Sequence, residues 1–305
     1  MSERDVTLRD GRTLHVYDDG APDGVAVVLH NGTPSSGLLY AGHVEDARSR
    51  GIRLIGYDRA GYGASTAKPG RTVADVVADV EDALDALGIA LYATWGISGG
   101  GPHALACAAL SERCVAAATL ASAGPYGVPG LDWLEGMGEA NVAEFDAVLA
   151  GPEALEPLLR RDAAEMFAGT ADDLRQAMIT LLSPPDEAAL TEDFGAYLYD
   201  AMSRGVADRI DGWRDDNLAF VRPWGFELSD VRVPVLLWQG VQDLMVPPAH
   251  GRWLAERIPG VEAHISEEDG HLTLLRHRVP EIHEWLRGAF AGPTDRSAKE
   301  RGLDS

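Results

Sequence analysis

The chain has 305 residues, 46% of them hydrophobic and 24% charged, enough to bury a full core as one large domain or as a domain carrying an inserted lobe. Its 48 acidic side chains against 26 basic ones give a formal charge of -22, which argues against nucleic acid or an anionic membrane as a partner. Two cysteines, Cys107 and Cys114, supply neither a disulfide framework nor metal-ligand spacing, the opening residues are polar, and no run approaches the roughly 18 apolar residues of a membrane span. A cytoplasmic protein that acts on a small molecule, with no cofactor and no metal, is the expectation, and composition leaves its oligomeric state open.

Val6 to Leu8 and Thr13 to Tyr17 alternate apolar and polar around Asp10-Gly11, which predicts a hairpin. Val25–His30 is instead a continuous apolar run, as a strand buried on both faces should be, and it leads into Asn31-Gly32-Thr33-Pro34-Ser35-Ser36. A helical segment to about Ser49 separates it from a second buried run over 53–57. That run ends in the glycine-rich loop Asp58-Arg59-Ala60-Gly61-Tyr62-Gly63-Ala64-Ser65. Residues 72–87 set Val73, Val76, Val77, Val80, Leu84 and Leu87 at helical spacing, and Gly88 stops them.

Ala93-Thr94-Trp95-Gly96-Ile97-Ser98-Gly99-Gly100-Gly101-Pro102-His103 reads as the end of a buried strand, a sharp turn and the approach to an apolar helix over 104–110. A further strand covers 115–121. Strands and helices alternating at this pitch imply right-handed crossovers and an α/β fold with a mostly parallel central sheet. From about 128 to 226 the pattern is helical throughout, with no buried strand run. Alternation resumes with a strand over 233–239, a helix near 249–257, a strand from Glu262 to Ile265 and a helix over about 280–290. The expected organisation is a core made of 1–126 and 227–291, a helical cap inserted over 127–226, and a flexible tail over 292–305.

Ser98 is the centre of a G-x-S-x-G pattern. A serine on so sharp a turn sits in a strained, positive-φ conformation, and a Cβ at position 96 or 100 would collide with the adjoining strand or helix. The amide of Gly99, at a helix N-terminus, is placed to donate to a developing oxyanion. Serine is a poor nucleophile at neutral pH and needs a base, which needs a partner to orient it. Asp243, in the loop after the strand over 233–239, and His271, in the loop after Ile265, both fall at the carboxyl edge of a parallel sheet, where open α/β sheets place their sites. His103 has the context of a packing or capping residue, and Trp133, Phe145, Met166, Phe167, Met178, Tyr197, Tyr199 and Trp213 that of the cap's own core.

With these residues in this order, the sequence resembles an α/β-hydrolase of the capped, serine-nucleophile kind, over roughly 20–126 and 228–290. The resemblance implies Ser98 as nucleophile, His271 as general base and then acid, and Asp243 as the residue that holds the imidazole in the right tautomer. Asn31-Gly32-Thr33-Pro34 resembles the family's H-G-x-P oxyanion loop, which would add the Thr33 amide to that of Gly99; Asn31 stands where the family has histidine, and His30 lies one residue earlier. Asp58 to Ser65 resembles a D-x-x-G-x-G-x-S loop, read as structural. The implied chemistry is hydrolysis of a small to medium carboxylic ester, thioester or lactone through an acyl-serine, because dehalogenases and epoxide hydrolases on this scaffold place aspartate at the elbow. Three alternatives stand beside it: an aminopeptidase similar to proline iminopeptidases, using Glu192, Asp193, Asp215, Asp216 or Glu227 to hold an amino terminus; a carbon-carbon bond hydrolase; and a non-catalytic binding protein of the same fold.

Overall fold

Residues 1–206 and 209–290 are described by the computed structural model of the chain, so the tail expected over 292–305 lies outside the described residues. Eight strands, β1 (Ser2–Thr7), β2 (Thr13–Gly20), β3 (Val25–His30), β4 (Ile52–Tyr57), β5 (Tyr92–Ile97), β6 (Cys114–Leu120), β7 (Val235–Gly240) and β8 (Glu262–Ser266), make one sheet in the order β1-β2-β4-β3-β5-β6-β7-β8. The predicted hairpin is β1 and β2, and β2 also lies antiparallel to β4; β3 to β8 pair in parallel. β3 lies between β4 and β5, so the chain leaves it to one side and returns on the other. Such a reversal opens a crevice at the carboxyl ends of the strands. β5 is buried along its whole length and β3 over all but its first residue, as their unbroken apolar sequences require.

Helices α1 (Ala41–Ser49), α2 (Val76–Ala86) and α3 (Gly100–Leu110) connect the first parallel strands. Two of these start elsewhere than the sequence suggests. α2 begins at Val76 rather than 72, because Asp75 accepts hydrogen bonds from the Thr72 amide at 2.7 Å and its hydroxyl at 2.8 Å, closing a turn ahead of the helix. α3 begins at Gly100 rather than 104, since Pro102 is tolerated in a first turn, where its missing N–H costs nothing.

Between β6 and β7 lie α4 (Glu139–Ala150), α5 (Pro152–Met166), α6 (Ala171–Ala177), α7 (Pro184–Ala189), α8 (Glu192–Val206) and α9 (Asp211–Phe220). The helical stretch is narrower than 128–226: residues 127–138 are turns and bends, pinned by the Trp133 indole, which donates to the Gly124 carbonyl at 2.7 Å and packs 4.3 Å from the Phe145 ring. Backbone hydrogen bonds tie this helical layer to the loops after β3 and β4: Ser36 N–H to Ala201 at 2.8 Å, Gly63 N–H to Gly205 at 2.9 Å and Gly212 N–H to Gly61 at 3.1 Å. The chain closes with α10 (Pro248–Ala255), α11 (His271–His277) and α12 (Val279–Ala289). α11 is not anticipated by the sequence pattern, because seven residues are too few to display a helical period.

Candidate active site

The turn between β5 and α3 has the expected strain. Ser98 has φ of 57°, a left-handed value that costs a non-glycine residue of the order of 1–3 kcal/mol. It is held there by its own amide, which donates to the Leu120 carbonyl at 2.9 Å, and by its carbonyl, which accepts from Gly101. The flanking glycines are steric necessities: a Cβ on Gly96 would overlap the Gly100 carbonyl, and one on Gly100 would overlap the carbonyl of His30 at the end of β3. Gly99 is the N-cap of α3, with Thr33 packed directly against it.

Asp243 and His271 meet across the β7 and β8 loops. The Asp243 carboxylate uses Oδ1 to accept from the Met245 and Val246 amides, each at 2.8 Å, and Oδ2 lies 2.8 Å from His271 Nδ1. Both residues are buried. Burial opposes the charged imidazolium, but the charge and hydrogen bond of Asp243, with Asp186 behind it, outweigh that and hold the His271 pKa above the usual histidine value. Ser98 and His271 line one cavity; among the described residues no hydrogen bond closes between them, and catalytic contacts of this kind often tighten only around substrate.

Asp186, on α7, carries no signal in the sequence, yet it organises the start of α11. Fully buried, it accepts from the amides of His271 at 2.9 Å, Leu272 at 2.8 Å and Thr273 at 3.0 Å, and from the hydroxyls of Ser183 and Thr273. Three unsatisfied amides at a helix start favour a carboxylate there. A Cβ on Gly270 would strike this carboxylate, so the residue before His271 has to be glycine.

A second buried carboxylate supports the loop after β3. Asp216, on α9, lies 2.6 Å from Arg59 Nη2 and 2.5 Å from Arg71 Nη2, and accepts from the hydroxyls of Thr33 at 2.6 Å and Tyr62 at 2.8 Å. Burial alone would raise its pKa, but the two guanidinium groups hold it well below the usual carboxylate range. Arg59 also donates to the carbonyls of Asn31 and Gly32. Asn31 braces the same loop, donating to the Ser36 carbonyl at 2.8 Å and that of Leu38 at 3.2 Å. Gly32 passes against Ser98, so this network sets where the Thr33 backbone lies relative to the serine.

Ser98, Thr33, Pro34, Met178, Met202 and Met245 line both a cavity of about 230 Å³ that reaches Glu144 and Trp213 and a smaller one of about 90 Å³ that reaches His271. Met166, Met178, Tyr197 and Trp213 thus serve the cavity walls as well as the helical layer. The acids considered for holding an amino terminus are elsewhere: Asp216 is committed to Arg59 and Arg71, Asp215 to Arg214, and Asp193 to Tyr40 and Thr191, while Glu192 and Glu227 line neither cavity. His30 is buried in the core, its Nδ1 2.6 Å from the Tyr57 hydroxyl. His103 packs beside Asp216, and burial, despite that carboxylate, brings its pKa down to about 4, so it is a neutral packing residue. Asp58 accepts from the Gly37 and Ala64 amides at 2.7 and 3.0 Å, the structural part foreseen for its loop, whereas its neighbour Arg59 belongs to the site.

The chain is similar to known proteins in sequence and in fold. Over 268 residues the chain is 27% identical to the pimeloyl-[acyl-carrier protein] methyl ester esterase of Chromobacterium violaceum, covering 87% of this chain and 94% of that one. It is 34% identical over 100 residues to 3-oxoadipate enol-lactonase 1 of Acinetobacter baylyi, covering 33% of this chain, and 29% identical over 152 residues to epoxide hydrolase B of Mycobacterium tuberculosis, covering 47%. These last two matches span only 37% and 42% of the relatives' own lengths. In three dimensions it matches the enol-lactonase of Burkholderia xenovorans with a TM-score of 0.67 at 21% identity, over 95% of this chain and all of that one, a likeness of fold. The family model for the alpha/beta hydrolase fold matches residues 25–277, a span that runs from β3 through Ser98 and Asp243 to the end of the helix that begins at His271, and the chain belongs to that family.

Proposed function

We propose that this protein is a serine hydrolase that cleaves a small to medium carboxylic ester, thioester or lactone through an acyl-serine intermediate. His271 Nε2 takes the proton of Ser98 Oγ as the oxygen attacks the carbonyl carbon, and Asp243, fixed on Nδ1, holds the tautomer that makes Nε2 the base. The amides of Gly99 and Thr33 receive the negative charge that develops on the carbonyl oxygen. The imidazolium then gives its proton to the leaving group. Water repeats the sequence on the acyl-serine, with His271 again as base, releasing the acid and restoring Ser98. Helices between 127 and 226 act as a cap over these residues and shape what enters.

The observation that carries this reading is the 2.8 Å contact between His271 Nδ1 and Asp243 Oδ2, opening onto the cavity where Ser98 sits with positive φ. The esterase and lactonase relatives are named for activities of the same class. The epoxide hydrolase likeness is not carried over, because enzymes of that kind place aspartate where this chain has Ser98. The acidic composition and the two buried free cysteines favour a cytoplasmic setting, and the reading needs no cofactor. The test is hydrolysis of short p-nitrophenyl esters and of simple lactones by the wild type and Ser98→Ala. Turnover that vanishes in the variant supports the reading; turnover that survives it removes Ser98 from the mechanism.

A further inference from the structure

The space around Ser98 is divided by chemistry. On the His271 side it gains Ile97, Tyr197, Leu198, Leu272 and Leu275 beside the loop after β3; on the other it gains Glu144, Arg161, Asp162, Glu165 and Trp213, set among small and apolar side chains such as Ala143, Met166 and Leu181. A substrate whose reacting carbonyl lies at Ser98 therefore has one arm toward a wall whose side chains are mainly apolar and the other toward a mixed wall that carries all the charged groups lining the two cavities apart from His271.

Glu144, on α4, is held in a fixed pose on the charged side. Its Oε1 accepts from the Trp213 indole at 2.7 Å and from the Asn217 amide at 2.5 Å, both on α9. Among the described residues no donor reaches Oε2 and no cation pairs with this carboxylate. Arg161, the cation on the same wall, lies 2.7 Å from Asp162 and 3.9 Å from Glu165 on its own helix. Glu144 is half-buried, and a carboxylate partly withdrawn from water favours a countercharge that two neutral donors on one oxygen do not supply. Burial accordingly pushes the Glu144 pKa up to about 7, with the nearby charge of Asp162 adding to the rise and the hydrogen bonds of Asn217 and Trp213 opposing it. An anionic arm would face three carboxylates here, whereas a cationic arm would supply the charge Glu144 lacks.

We infer that Glu144 is a specificity-determining carboxylate and that the substrate arm against it carries a positive charge of the alkylammonium class. This rests on the serine-hydrolase reading and adds to it the chemical class of the substrate. Cation and carboxylate then form a pair beside Trp213 and Met166, partly removed from the screening of bulk water.

Trimethylammonium esters and their tert-butyl isosteres test it, with the cation on the acyl arm in one pair and on the alcohol arm in the other. Each pair has the same shape and differs by one charge. For one of the two placements the wild type is expected to favour the cationic ester in kcat/KM by about tenfold, and Glu144→Gln, which keeps an acceptor for Trp213 and Asn217, to bring that ratio close to one. In the wild type the preference grows between pH 6 and pH 8 as Glu144, which shares its wall with Arg161, Asp162 and Glu165, ionises, and titration of His271 acts on both esters alike and cancels in the ratio. Turnover of both esters with no cation preference at either placement, or a preference that Glu144→Gln leaves intact, overturns the inference while leaving the hydrolase reading in place. Absence of turnover with every ester, together with no phosphonate label on Ser98, overturns both.

Discussion

Asp186 reaches across from the helical layer to accept the backbone N–H of His271 at 2.9 Å, so the residue that caps the helix of the proposed base belongs to a different part of the chain from the sheet that presents it. The position of the imidazole depends on the layer above it as well as on Asp243 below.

For Asp186→Asn the expected outcome is a loss of about 1–3 kcal/mol of stability, since the new amide group sets donors against backbone donors. Activity should move with it. As the proposed base, His271 would act only when neutral, and its pKa is held above the ordinary histidine value, so kcat/KM is expected to rise with pH through that elevated value. The linked stabilisation is present below the ordinary histidine value and is lost as pH climbs through the raised one. Removing the Asp186 charge lowers the His271 pKa and shifts the acid limb of the rate profile to lower pH. A pH profile that keeps its acid limb while the melting temperature falls would reduce Asp186 to a helix cap.

Asp243→Asn should fold, because the side chain still accepts from the Met245 and Val246 amides. It is expected to lower kcat by about four orders of magnitude, as the amide favours the wrong imidazole tautomer. Steady-state kinetics on a p-nitrophenyl ester measure this directly, and a loss of less than tenfold would mean that His271 is oriented by something else.

Asp216→Ala leaves Arg59 and Arg71 buried without their countercharge. A cost of about 3–5 kcal/mol is expected from denaturant unfolding. Arg59→Met with Asp216→Leu removes both charges of one pair and should recover part of that stability. It should not recover kcat, because Thr33 loses its hydroxyl acceptor and the Asn31 and Gly32 carbonyls lose Arg59. Recovery of kcat along with stability would separate this network from the oxyanion loop.

Gly100→Ala brings a methyl group onto the His30 carbonyl. Neither backbone can yield without moving β3 or the elbow, so a destabilisation of at least about 2 kcal/mol is expected. Gly127→Ala serves as the comparison: its positive φ carries a backbone penalty, but nothing lies near an added Cβ, so the gap between the two variants measures the close approach.

What the sequence reveals of this site follows the reach of local pattern. The glycines around Ser98 mark the elbow because the backbone there permits nothing larger, and Asp243 and His271 are visible because each stands in a loop that follows a strand at the carboxyl edge of the sheet. Asp186 and Asp216 carry no such mark. Asp186 lies 85 residues from His271, and Asp216 lies 183 residues from Thr33, so only the folded chain brings them together. In sequence Asp216 is one acid among many and invites a role as an exposed ligand; folded, it is the buried partner of two arginines. Glu144 is hidden for the same reason, its significance arising from Trp213 and Asn217 on another helix. α11 escaped because a helix of seven residues shows no period.

In the proposed mechanism Ser98 is the nucleophile and His271 activates it. Labelling with a fluorophosphonate, located by mass spectrometry of peptides and followed as a function of pH, tests it most directly. One label per chain is expected, on Ser98, at a rate that rises with pH through a value above the usual histidine pKa and collapses in His271→Gln. A label on another residue, or labelling of Ser98 at an undiminished rate in His271→Gln, would contradict it.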